Sequence, residues 1–216
     1  MADVTSDYLV RGVSPSDDRP ALQFDVHYLA AAGLFAGVFA SDTVLQSHQA
    51  LYAELDPYAG YAWQMNQDWR AHVLIDAYLY PRNPAGHLYD YEEVEFVADY
   101  HDWLSLKTTY SPDAPRAALF PGRMPPLGIE KVQEASADVT AQRPLYGRLS
   151  ALGGIGVSHL DGTAALSYLY WNVGARFDRS PVALTLIYVG TSNAAKTLFY
   201  NGSGGGRWVG TVTWSF

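Results

Sequence analysis

Charged and titratable residues recur at every second position along much of this 216-residue chain. Asp25 and His27 are spaced in this way, as are Glu54 and Asp56, Arg70 and His72, and Glu93 and Glu95, with Asp76 further along from His72. Asp7, Arg11 and Gln23 open the series, and Lys107, Arg148 and Arg176 continue it. Carboxylates and imidazoles in such pairs could work as general acids and bases if a nucleophile or a water lay within hydrogen-bond reach. They could equally pair with one another, or hold ions and water. Neighbouring positions on one face of a strand are close in any sheet, so the spacing alone selects none of these. The clusters where acid–base work is conceivable are His27 with Asp25, His72 with Asp76, and Ser158-His159 beside Asp161. No nucleophile elbow, metal-ligand spacing or phosphate loop accompanies them. Gly202-Ser203-Gly204-Gly205-Gly206 reads as a flexible surface loop, because no helix follows to cradle a phosphate. The expectation is no catalytic residue, no metal and no cofactor.

Strands must position these side chains. In 21–30 the polar residues Gln23, Asp25 and His27 alternate with Leu22, Phe24, Val26 and Tyr28. In 69–80, Trp69, Ala71, Val73, Ile75, Ala77 and Leu79 oppose Arg70, His72, Asp76, Tyr78 and Tyr80. In 103–110, Leu104, Leu106, Thr108 and Tyr110 oppose Ser105, Lys107 and Thr109. These period-two runs outlast the roughly 5–6 residues of an average soluble strand and approach the ~9–11 that cross a bilayer at a tilt. About twelve strands are predicted, at 3–12, 20–30, 33–42, 50–63, 68–80, 88–100, 102–111, 130–142, 145–158, 164–178, 181–190 and 206–216.

The connections fall into two classes. After even strands they are short: Ala31-Ala32, Met65-Asn66-Gln67, His101, Arg143-Pro144 and Asp178-Arg179-Ser180. After odd strands they are longer and richer in Pro, Gly and Asp: 13–19, 43–49, 81–87, 112–129, 159–163 and 191–205. Short turns at one end and long loops at the other is the layout of an up-and-down outer-membrane barrel. An even strand count puts both termini at the short-turn, periplasmic end. Pro57, inside the fourth strand, removes a ladder donor and marks a bulge. The third strand is ambiguous, since Leu34/Ala36/Val38/Ala40 and Phe35/Gly37/Phe39 are both apolar.

The last strand, Arg207–Phe216, puts Trp208, Gly210, Val212, Trp214 and Phe216 on one face and Arg207, Thr211, Thr213 and Ser215 on the other. A terminal aromatic of this kind suits the interfacial girdle of a membrane barrel. Tyr8, Tyr28, Trp69 and Trp171 are assigned to the same girdle with Trp208, Trp214 and Phe216. The aromatic share is 14%, with 16 Tyr and 6 Trp, in keeping with such belts. A net charge of −8 removes the electrostatic case for nucleic acid. No run approaches the roughly 18 apolar residues of a transmembrane helix, which leaves a barrel possible. There are no cysteines. No secretion signal precedes Met1-Ala2-Asp3, so the expected form is a mature one with a replacement start.

Periodicity cannot say which face is inside. A soluble lipocalin-like barrel or sandwich would turn Phe24, Trp69 and Ile75 inward. The uniform strand lengths, and the Tyr and Trp near strand ends, favour lipid outside. The polar sets then line a lumen: Asp7, Arg11, Gln23, Asp25, His27, Glu54, Asp56, Arg70, His72, Asp76, Glu93, Glu95, Lys107, Arg148 and Arg176. Charges against a low-dielectric wall must be paired or wet. They form either a network that fills a narrow barrel or a water-filled path whose acidic excess favours cations. A constricted pore lined by such a network lies between the two.

The start of the chain, Asp7-Tyr8-Leu9-Val10-Arg11-Gly12-Val13-Ser14 followed by Pro20-Ala21-Leu22-Gln23, resembles the opening of the TorF-like porin family (Gcw_chp). That family comprises proteobacterial conserved hypothetical outer-membrane proteins. Glu54-Leu55-Asp56-Pro57-Tyr58-Ala59-Gly60-Tyr61 is similar to its E-L-D-x-Y-A-G-Y segment. Tyr78-Leu79-Tyr80-Pro81 and Tyr91-Glu92-Glu93-Val94 resemble its Y-x-Y-P and Y-x-E-V steps. The match is strongest over 5–100, fades over 111–165, and departs from the pattern at Pro15 and Pro57. The resemblance implies an outer-membrane barrel with a porin-like label and little about substrate.

The sequence is therefore read as a single domain, 1–216, an all-β transmembrane antiparallel barrel in the outer membrane of a Gram-negative bacterium. The expected function is a passive channel for small polar or cationic solutes, monomeric, with the bilayer as its surroundings and no nucleic-acid partner. A closed structural or partner-binding barrel is the alternative, with the loop 111–129 as its contact. An enzyme and a soluble ligand-binding barrel are the further rivals.

Overall fold

The computed structural model describes residues 1–44, 51–81, 86–117, 129–162, 165–198 and 204–216. The strands are β1 (Ala2–Thr5), β2 (Ala21–Leu29), β3 (Leu34–Val44), β4 (Leu51–Gln64), β5 (Trp69–Tyr78) and β6 (Tyr91–Tyr100). They continue as β7 (Leu104–Ala117), β8 (Ile129–Tyr146), β9 (Leu149–Leu160), β10 (Leu166–Arg179), β11 (Val182–Thr191) and β12 (Arg207–Trp214). Each pairs antiparallel with its sequence neighbours, and β1 pairs with β12, so the sheet closes as an up-and-down barrel. Among the described residues no helix is long and apolar enough to cross a membrane, which says nothing against strands that do.

The period-two pattern sorts the side chains as two faces of one wall. Leu22, Phe24, Val26 and Tyr28 are exposed on the outside of β2, and Ile75, Leu184, Leu186, Trp208, Val212 and Trp214 on the outside of other strands. Gln23, Ser41, Glu54, Asp56, Glu93, Thr109, Ser136 and Thr213 are buried on the inside. Apolar out and polar in is the reverse of a soluble barrel, so Phe24 and Ile75 overturn that rival. The ambiguous third strand resolves the same way. Phe35 packs against Tyr58 and His72, and Phe39 against Tyr8, while Leu34 and Val38 face out.

Three expectations about elements need correction. First, β1 ends at Thr5 rather than at residue 12, and residues 6–20 leave the wall. Second, Pro57 makes no bulge: Val38↔Pro57 lies in an unbroken β3–β4 register. Its missing N–H instead interrupts the β4–β5 ladder, which runs to Tyr58↔Asp76 and resumes in the same register at Leu55↔Leu79. Third, β7 continues to Ala117 across a register shift between Ser111 and Ala114, six residues past its predicted end at 111 and into the predicted loop 111–129. Residues 118–128, and Gly202 and Ser203 of the glycine loop, lie outside the described residues. A short helix, Asn193–Leu198, was not signalled by the pattern and buries Ala195.

Residues 6–20 fold inward as a hairpin. Val10 and Val13 exchange both backbone hydrogen bonds, each at 2.9 Å, around the two-residue turn Arg11-Gly12. Both turn residues have positive φ, 50° and 77°, as a type I′ turn requires. The tip also presses on β10 and β11: a Cβ on Gly12 would stand 2.7 Å from Thr191 Cγ2 and 2.9 Å from Tyr170 Cβ. Gly12→Val therefore combines left-handed strain with a clash, each costing about 1–3 kcal/mol. Limited proteolysis of the variant is expected to cut within 6–20, where the parent is protected.

Candidate functional site

The hairpin departs beside β1 and β2, and its tip reaches the wall on the opposite side of the barrel. Arg11 carries this contact. Its guanidinium pairs with Glu93 on β6 and lies 3.0 Å from Glu134 Oε1 on β8. It also donates to Thr109 Oγ1 on β7 at 2.8 Å and to Ser136 Oγ on β8 at 3.1 Å. A planar fork with several donors suits three adjacent strands in a way a lysine could not. Asp7 anchors the other leg, accepting from Ser14 Oγ at 2.5 Å, Ser16 Oγ at 2.9 Å and Arg207 Nη1 of β12 at 3.0 Å. Arg207 also pairs with Asp18. Thr43 Oγ1 and the Val44 amide bond the Pro15 carbonyl, tying the returning leg to β3.

Between these anchors, Tyr8 Oη donates to Glu54 Oε1 at 2.6 Å while Tyr80 Oη takes Oε2 at 2.7 Å. Burial, with Glu54 adjacent, raises both tyrosine hydroxyls well above their ordinary value, so each stays a donor. Tyr78 and Tyr91 stack face to face at 4.2 Å nearby. The hairpin thus divides the interior. In the short-turn half a cavity of 480 Å³ is lined by Arg70, Asp99, Gln142, Asn172 and Thr185, among others. In the long-loop half a smaller cavity of 160 Å³ lies against the hairpin.

The other inner charges occupy the open half. Tyr58 Oη donates to Asp25 Oδ2 at 2.8 Å, and His27 Nδ1 is 2.6 Å from Asp25 Oδ1. Lys107 Nζ is 2.8 Å from Glu95 Oε2, with His72 Nε2 at 3.9 Å from the same carboxylate. Asp76 and Asp56 each keep a buried oxygen without a hydrogen-bond partner. Arg70 pairs with Asp102 at the short-turn rim, and Arg176 with Asp178.

Two assigned residues fall elsewhere. Tyr8 is not a girdle residue; it is buried inside, because the segment carrying it leaves the wall. Arg148 does not line the lumen; it is exposed in the turn between β8 and β9. Asp7 and Arg11 lie inside, on the hairpin and not on a strand. Gln23, Asp25, His27, Glu54, Asp56, Arg70, His72, Asp76, Glu93, Glu95, Lys107 and Arg176 share the inner face. Tyr28, Trp208, Trp214 and Phe216 are exposed on the outer face, and Trp171 packs there with Tyr188, as Tyr188 does with Trp208. Trp69 packs with Tyr100 at the short-turn end. Ser158 and His159 face opposite ways: Ser158 bonds Glu134 inside, and His159 bonds Ser167 and Asp161 at the outer rim. Alternation alone missed Arg116 and Glu130, and it placed Glu134 on the polar face, where it meets Arg11. The signal for the hairpin was present as Val10-Arg11-Gly12-Val13, a two-residue turn between β-branched residues.

Solved porin structures share this architecture. NanC porin superposes with a TM-score of 0.65 at 10% identity, with 100% of each chain covered. KdgM porin in complex with disordered oligogalacturonate gives 0.56 at 13%, covering 100% of this chain and 99% of that one. At such identities the likeness is one of fold. None of the curated proteins compared with this chain matches it. The family described as "Bacterial protein of unknown function (Gcw_chp)" matches residues 2–216, essentially the whole barrel, and the chain belongs to that family.

Proposed function

We propose that the protein is an outer-membrane, porin-like channel passing small polar or cationic solutes through a lumen constricted by the hairpin 6–20. The observation that carries this reading is the polar 480 Å³ cavity of the short-turn half, inside a wall whose outer face is apolar. Apolar side chains exposed on most strands are at home in hydrocarbon, and tryptophans near strand ends at its interfaces. The fold it shares with NanC and KdgM porins supports the same reading. Both termini then lie on the periplasmic side, and the barrel acts as a monomer without catalysis. The acidic groups Asp25, Asp76, Glu95, Asp99 and Asp138 outnumber Lys107, Arg70 and Arg176 in the open half, which favours cations.

Planar-bilayer recording tests both parts. Small discrete currents are expected, with a reversal potential in a KCl gradient that reports K⁺ passing more readily than Cl⁻. No current from correctly folded barrel would sink the channel reading. The alternative, a closed barrel, draws on one observation: the hairpin spans the interior and is anchored on both sides. Silence in the bilayer that persists after removal of residues 6–20 would establish it.

A further inference from the structure

The cavity beside the hairpin has a chemistry of its own. Its 160 Å³ is well under the roughly 300 Å³ at which pockets for drug-sized ligands begin, so its occupant is small. Tyr8, Tyr80, Tyr91 and Tyr168 line it, with Glu54 and Glu134 as its carboxylates. Glu54 is 1% exposed, accepts from the hydroxyls of Tyr8 and Tyr80, and shares a side-chain hydrogen bond with Asp56. Asp56 follows it on the same inner face, 2% exposed, with Oδ1 unpartnered. Among the described residues, no basic side chain forms an ion pair with either of these two acids. Arg11 also borders the cavity, but its charge is already met by Glu93 and Glu134. The pocket is therefore lined by four tyrosines and by Glu54, whose carboxyl, backed by Asp56, meets no protein cation among the described residues.

We propose that this cavity binds a small alkylammonium cation at the constriction. Ring faces attract a weakly hydrated cation through their quadrupoles, and a desolvated carboxylate supplies the charge that holds it. A bare metal ion fits less well. Hard cations need several converging oxygens, and the described residues contain no acid–histidine group arranged to hold a metal. A neutral solute would leave Glu54 and Asp56 without a counter-ion. The inference deepens the channel reading by naming a solute class for its narrowest part, while binding itself does not require conduction.

Isothermal titration calorimetry on the full-length, detergent-solubilised barrel at fixed ionic strength tests it, using tetramethylammonium, choline and the neutral choline isostere 3,3-dimethylbutan-1-ol. Saturable heat is expected for both cations, with dissociation constants of about 1 mM or tighter, and none for the isostere. Glu54→Gln keeps the tyrosine partners and removes the charge, so binding should weaken at least tenfold. Tyr168→Leu, away from the hairpin anchors, should weaken it severalfold with the barrel intact by circular dichroism. No heat from either cation, or equal binding of the isostere, overturns the proposal. Heat without bilayer current would leave this site standing and the channel reading fallen; current without heat, and without block by tetramethylammonium, would do the reverse.

Discussion

Arg11→Ala is expected to release the hairpin and raise single-channel conductance severalfold. Among the described residues the guanidinium is the one cation bridging Glu93 and Glu134, and its side chain and that of Glu93 are largely buried. Removing it leaves two carboxylates facing each other in a poorly hydrated space. Breaking a buried pair in this way costs about 3–5 kcal/mol because the remaining charge stays uncompensated. The wall itself is held by its ladders, so the loss falls on the docked state of residues 6–20. Tyr8–Glu54 and Asp7–Arg207 remain, but both anchor the legs and not the tip. Bilayer recording and protease sensitivity within 6–20 read the outcome. Adding Glu93→Gln and Glu134→Gln to Arg11→Ala should restore docking in part, since the repulsion is then gone. Unchanged conductance and unchanged protection would show that Arg11 does not latch the hairpin.

Val26→Arg should destabilise the barrel by about 2–4 kcal/mol in a bilayer, whereas Gln23→Arg should cost little. Val26 is 64% exposed on the outer face of β2 and pairs with Val38, well inside the wall. An arginine there must pull its charge through hydrocarbon to the interface. Gln23, three residues away, faces inward, donates to Ser41 Oγ at 3.1 Å, and lies opposite Asp3 in the β1–β2 register. Asp3 keeps a buried oxygen without a partner, so an arginine at 23 meets a carboxylate. Urea unfolding in lipid vesicles, followed by tryptophan fluorescence, compares the two. Equal losses would contradict the assignment of faces.

Most of the wall was legible because one rule governs it. A strand between lipid and lumen must alternate, and Leu22-Gln23-Phe24-Asp25-Val26-His27 alternates without exception. The two classes of connection then gave strand order. The rule failed where the chain no longer served as wall. Residues 3–12 alternate well enough to continue a strand, yet Tyr8 and Arg11 find better partners across the interior than at the rim. Alternation reports which side a residue faces and carries nothing about contacts across a lumen. The turn Arg11-Gly12 was the local cue. Only the geometry shows that its arginine answers two carboxylates more than eighty and one hundred and twenty residues away. Arg148 failed for a smaller reason: β8 runs on to Tyr146, which carries the strand end and the turn past where charge placement had set them.

The shortness of β1 also bears on the order in which the molecule can be put together. Four residues, Ala2–Thr5, form the seam with Val212 and its neighbours on β12. The segment that fills the interior follows them immediately, so it belongs to the beginning of the chain, and the strand that seals the seam comes last. Yet that segment is a loop attached to the rim at two neighbouring strands, and its tip, Arg11-Gly12, is held only by side-chain and packing contacts. The tip can therefore swing into the tube, or out of it, after the seam has closed. Closing the wall and docking the hairpin are separable steps.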